Sequence, residues 1–196
     1  AAADKAITET PRPVKKTSAP VSMEEELSSA KKIHNKAKEA VITMFSDVRM
    51  GKALEIGEVT SLVDEINQSL ERNTNALLSL IRLKNVDEYT YLHSVAVCML
   101  MVALGRQLNL NSDQLKQVGV AGLLHDIGKM AIPHEMLNKP DKLTDEEFNI
   151  VKQHPQRGWE YRSHVIKWMK SLWMFVCIIM SVWMGEAIRR NYRVMH

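Results

Sequence analysis

The sequence predicts an all-α fold. Three observations carry that reading. Apolar side chains recur at helical spacing through each long segment. Residues that cap helix starts stand in front of several of those segments. No stretch of any length alternates polar and apolar residues as a half-buried strand would, and no internal repeat appears.

Residues 1–21 are rich in Ala, Lys, Thr and Pro, with Pro11, Pro13 and Pro20, and hold almost no large apolar side chains. That composition predicts a linker or disordered arm. Ser22 is placed to cap a first helix, whose stripe runs through Leu27, Ile33, Ala37, Val41, Met44 and Phe45 and ends near Gly51. A second helix is expected from about Ile56 to Leu83, with Val59, Leu62, Val63, Ile66, Leu70, Ala76, Leu77, Leu80 and Ile81 on its apolar face. This helical pair serves either packing within the domain or a dimer face. Tyr89–Leu108 reads as a third helix. Ser112 is expected to cap a fourth, which ends at His125-Asp126. Ala131-Ile132-Pro133 breaks the pattern, His134–Leu137 forms a short helical turn, and Lys139-Pro140-Asp141 is a loop. Thr144–Glu147 reads as a capping box opening a helix that closes near His154-Pro155.

At 196 residues the chain has room for one domain plus extensions. A net charge of +3 is too small to argue for a nucleic-acid polymer as partner. Cys98 and Cys177 lie in apolar surroundings and make no disulfide framework, which fits a reducing cytosol. The chain opens AAADKA without an initiator Met or an apolar signal segment, and reads as an excerpt from a longer protein.

The chemistry gathers at His125-Asp126, which closes the apolar run Val118–Lys129 (VGVAGLLHDIGK). Adjacent imidazole and carboxylate can share one metal ion, or the carboxylate can bridge two, and Lys129 can meet a phosphate. That set suits metal-assisted hydrolysis of a phosphodiester. Gly128 is expected to allow a tight turn. Alone, such a dipeptide is ordinarily surface or capping chemistry. Further histidines at His93 and His154 raise its meaning, whereas His34, His134, His164 and His196 read as ordinary residues.

Four motifs in order then carry a resemblance: Tyr89–Val97 (YTYLHSVAV), Gly122–Pro133 (GLLHDIGKMAIP), Leu137–Glu147 (LNKPDKLTDEE) and His154–Gly158 (HPQRG). Together they resemble the N-terminal half of an HD-GYP domain, a bacterial branch of the HD metal-dependent phosphohydrolases. The resemblance covers roughly a third of the chain. It implies a helical HD-like bundle, a centre of two or three divalent metals such as iron or manganese, and hydrolysis of cyclic di-GMP or a related cyclic dinucleotide. It makes His93, His125, Asp126 and His154 metal ligands. Asp126 would bridge the metals and orient or deprotonate the attacking water. Lys129 would contact the scissile phosphate and stabilise charge in the transition state. Some family members carry a glutamate one helical turn before the first histidine, where it helps hold a third metal. This chain has Tyr89 there, and the neighbouring Glu88 points about 100° away on a helix. A two-metal site is therefore expected.

The second half of the family pattern, its HHE and GYP motifs, is absent. In its place stands Ser171–Met184 (SLWMFVCIIMSVWM), an apolar run of 14 residues, shorter than the roughly 20 a membrane helix needs. Back-translation accounts for it. With the frame shifted by one nucleotide, Trp183-Met184 forces aspartate and Met184-Gly185 forces glycine. The codons from Cys177 onward permit HHHERLDGxGYP, the missing motif. The gene therefore reads as frameshifted between about Trp159 and Lys170.

The expected organisation is a linker over 1–21, a helical pair over 22–85, a partial catalytic domain over 86–162 and an out-of-frame tail over 163–196. The expected protein is a cytoplasmic bacterial cyclic di-GMP phosphodiesterase whose activity is impaired in this chain. A homodimer through residues 22–85 is possible, and membrane attachment is not expected. The rivals are a non-catalytic binding or dimerising remnant, and a protein tethered to the membrane through its tail.

Overall fold

The computed structural model describes residues 21–82, 89–137, 139 and 141–163. Expectations for residues 1–20, for Glu88 and for the tail from His164 onward lie outside the described residues. Within them the chain is helical and contains no strand, as the periodicity predicts.

Seven α-helices follow one another: α1 Met23–Arg49, α2 Ile56–Ser79, α3 Tyr89–Gln107, α4 Ser112–Leu124, α5 His134–Leu137, α6 Asp145–Val151 and α7 His154–Ser163. A 3-10 turn over Leu80–Arg82 extends α2, and another over Ile127–Ala131 follows α4. The starts are set by local chemistry. Ser22 and Glu25 form a reciprocal capping box on α1, and Thr144 and Glu147 form one on α6. At α4 the cap is Asn111 rather than Ser112, because the residue three positions on is Gln114, whose side chain can return a hydrogen bond to the cap backbone. The helix from Thr144 stops at Val151, and His154 opens α7 instead of closing α6. Pro155 suits the first turn of a helix, where its missing N–H costs nothing.

The apolar stripes of α1 and α2 are buried against each other and against α3 and α4 in one core. Phe45, Ile66, Leu70, Leu77, Met99, Leu115, Leu123 and Leu124 are its largest fully buried side chains. Phe45 on α1 meets Tyr91 on α3 edge-to-face, with ring centroids 5.8 Å apart. Among the described helices α3 alone is long and apolar enough to cross a membrane by length and composition. Its Val95, Cys98, Met99 and Val102 are instead fully buried in this helical core.

A buried polar network locks α1 to α2. Glu26 accepts from Arg72 Nε at 2.7 Å, from the Arg72 guanidinium a second time at 2.8 Å, and from the Ser69 hydroxyl at 2.7 Å. These donors hold the Glu26 carboxyl below its ordinary range. Directly beyond, Asn73 leaves helical geometry (φ −156°, ψ 101°). Its side-chain oxygen accepts from the Ala76 N–H, so it caps a fresh helical turn inside α2, while its amide donates to the Val21 carbonyl.

Arg72→Ala strips the buried Glu26 of its counter-charge and should cost about 3 kcal/mol in urea unfolding, with Glu26→Gln in the same chain recovering part of the loss. Glu26 titrates below its ordinary 4.5 when folded. Its contribution is therefore complete above that pH and is lost as pH falls through the lowered value. The wild type should lose more stability on acidification than the double variant.

Candidate metal centre

Four elements deliver the site. His93 lies one turn into α3, His125 ends α4, Asp126 opens the 3-10 turn that carries Lys129, and His154 starts α7. α3 and α4 come close because Gly122 has no side chain: a Cβ there would stand 3.0 Å from Cys98 Cα. α7 comes close to the 3-10 turn at Gly128, where a Cβ would overlap the His154 carbonyl and crowd the Gly158 N–H. Gly128 does not adopt positive φ; among the described glycines only Gly51 does, at 75°. The residue is required for this contact and not for a tight turn.

The orientation of the histidines follows from the backbone. His125 Nδ1 donates to the Gly122 carbonyl at 2.8 Å, and His154 Nδ1 donates to the Val151 carbonyl at 2.7 Å. A carbonyl oxygen can only accept, so each Nδ1 carries a proton, and in its neutral form each ring presents its lone pair at Nε2. Both lone pairs face Asp126. His125 Nε2 lies 3.2 Å from Oδ2, and His154 Nε2 lies 3.4 Å from Oδ1. The His93 ring abuts the His125 ring edge-on, with centroids 5.1 Å apart. One ligand atom from each of His93, His125 and Asp126 lies within 4.8 Å of the others.

Burial pushes His93 down to about 4 and also lowers His154, so both are neutral at neutral pH. Complete burial pushes the Asp126 carboxyl up, yet the His125 ring and the Lys129 ammonium beside it hold it well below the usual carboxylate range. Lys129 Nζ donates to Oδ2 at 2.6 Å. His125 Nε2 and Asp126 Oδ1 remain buried without a hydrogen-bond partner. Lone pairs aimed at a carboxylate repel unless a cation lies between them. Imidazole nitrogens with a carboxylate form the donor set of a divalent transition-metal ion, and the residues present fit one.

All five residues singled out in the sequence thus come together: His93, His125, Asp126, Lys129 and His154. His154 joins through Asp126 Oδ1, outside the tighter group of three. Sequence reasoning missed the supports. Gly122 and Gly158 stood inside quoted motifs without a role, and only the tertiary approach reveals one. Tyr89 was noted for what it replaces; its ring lies nearly parallel to His93, at 8° and 5.9 Å.

Comparison with known proteins agrees with this geometry. The HD domain family matches residues 77–171, and a domain of unknown function, DUF3391, matches residues 1–59. The chain is 57% identical over 138 residues to the cyclic di-GMP phosphodiesterase PA4108 of Pseudomonas aeruginosa, covering 70% of this chain and 33% of that protein. It is 43% identical over 60 residues to the cyclic di-GMP phosphodiesterase response regulator RpfG of Xanthomonas campestris, covering 31% of this chain and 16% of that protein. It is 39% identical over 67 residues to the 3'3'-cGAMP-specific phosphodiesterase 1 of Vibrio cholerae, covering 34% and 16%. The chain therefore spans a third or less of the length of these relatives. No solved structure matches. The two family matches meet inside one hydrophobic core, since α1 from the first packs against α3 and the 3-10 turn from the second.

Asp126→Asn should weaken manganese binding by more than the roughly 10–100-fold typical of lost second-shell support, read by equilibrium dialysis. Gly128→Ala displaces α7 and should weaken it by about 10–100-fold, with far-UV circular dichroism unchanged because the α1–α4 core does not include Gly128. Unaltered affinity in Gly128→Ala would show that His154 takes no part.

Proposed function

We propose that this chain belongs to the HD-GYP branch of the HD-domain family and derives from a metal-dependent phosphodiesterase acting on a cyclic dinucleotide, with cyclic di-GMP the first candidate. The carrying observation is the convergence on one buried carboxylate of two imidazole Nε2 atoms and an ammonium group. His93, His125, Asp126 and His154 would supply part of the ligand set of a divalent metal centre, one of two iron or manganese ions by the reading of Tyr89. Bound there, the metal supplies Lewis-acid polarisation of the phosphoryl group and neutralises its charge.

The protein's own groups have distinct tasks. Asp126 is a weak base at neutral pH, which suits holding cations and orienting a water more than removing a proton. Lys129 spends one N–H on Asp126 and keeps two for a phosphate oxygen. Anchored so, its ammonium group is preorganised for charge that develops on the phosphate in the transition state. Neutral His93 and His154 need shed no proton before they ligate.

The test is cyclic di-GMP turnover with manganese or iron, in the chain as given and in a chain whose tail is read one base out of frame. The expected outcome is little or no hydrolysis by the first and clear hydrolysis by the second. Lys129→Ala in the active form should lower kcat by about 100-fold. Full activity in the chain as given would show that the described residues hold a complete site. No activity in either would favour a binding or dimerising remnant.

A further inference from the structure

We propose that Tyr89 is the platform on which the substrate's nucleobase stacks, an inference that rests on the phosphodiesterase reading and names what recognises the base. The aromatic groups form a path from the buried carboxylate to solvent. Asp126 has no exposed surface and His125 is 4% exposed. The His93 ring abuts His125, and the Tyr89 ring lies parallel to His93 at 5.9 Å. Tyr89 is 46% exposed at the mouth of this path. It stands on the first turn of α3, four residues before His93 and so on the same helix face.

A phosphodiester seated against Lys129 and the imidazoles would carry its base one sugar away, and the Tyr89 ring stands two ring contacts from His125 toward solvent. A nucleobase has a flat π-face, and stacking on an aromatic side chain contributes about 1–3 kcal/mol per base. Tyr89 loses little conformational entropy in this role, since its contact with His93 already fixes its plane. Aliphatic residues open to solvent elsewhere on the same helix, Leu100 and Leu104, make no ring contact with the site.

The test compares two probes that share a phosphate and differ in the base. Isothermal titration of the 196-residue chain with 5′-GMP and with ribose 5-phosphate, both with manganese present, should show 5′-GMP binding about 5–150-fold more tightly. Tyr89→Ala should abolish that difference and leave ribose 5-phosphate unchanged, while Tyr89→Phe and Tyr89→Trp should preserve it. Equal loss of both probes in Tyr89→Ala would mean that the ring only supports His93, and would overturn the inference. Equal binding of both by the wild type overturns it alone. Binding of neither overturns it together with the phosphodiesterase reading.

Discussion

A carboxylate without solvent exposure dictates the arrangement at the heart of this molecule. An isolated buried charge is costly enough that it must be paired or neutralised. The His125 ring and the Lys129 ammonium, which reaches Asp126 at 2.6 Å, hold its carboxyl well below the usual range. His125 and Lys129 share one short stretch with Asp126 and His154 comes from α7, so the full set of partners assembles only when the 3-10 turn and α7 meet. The meeting is possible because glycine occupies the points of closest approach, Gly128 and Gly158 between the turn and α7. Two carbonyls, of Gly122 and Val151, then set the tautomers. The result is a cluster of imidazole nitrogens and a carboxylate that fits a divalent cation.

The parts of this arrangement legible in the sequence are those written in local periodicity or in adjacent residues. The stripes of α1 and α2 predict the core because helical spacing alone decides which side chains share a face. His125 and Asp126 are neighbours, so their joint chemistry is visible without a fold. Elsewhere local signals competed. Asn111 and Ser112 are both good caps, and the decision lay with Gln114 three residues past Asn111, since Leu115 three past Ser112 can return no hydrogen bond. Pro155 reads as a helix stop yet also suits a helix start, and tertiary contact between α7 and the turn selects the second. The role of Gly128 is set by a backbone 26 residues away, and no local pattern encodes it. Asn73 interrupts an otherwise continuous stripe; it does so without loss because its own side chain caps the turn that follows.

The same logic explains why α1 belongs to the site's support although it carries no ligand. It packs on α2, on α3 and on the 3-10 turn that bears Lys129. Its N-terminal end is pinned through Glu26 to Ser69 and Arg72. A movement of α1 is therefore a movement of the floor beneath His125 and Asp126.

The donor set also bounds what these residues can do unaided. The described residues place three imidazoles and one carboxylate around the site. A single divalent ion takes about four such donors, so one metal can be satisfied by them with Asp126 as a simple ligand. Two metals cannot, because a bridging carboxylate counts toward both and leaves each with too few nitrogen donors. In-line displacement at phosphorus by a two-metal centre needs both ions fixed about 3.5–4 Å apart. A second ion would need further donors, and the shifted reading of Cys177–Ile188 permits paired histidines. The described cluster of His93, His125 and Asp126 could hold a metal ion, with the Lys129 ammonium directly beside it.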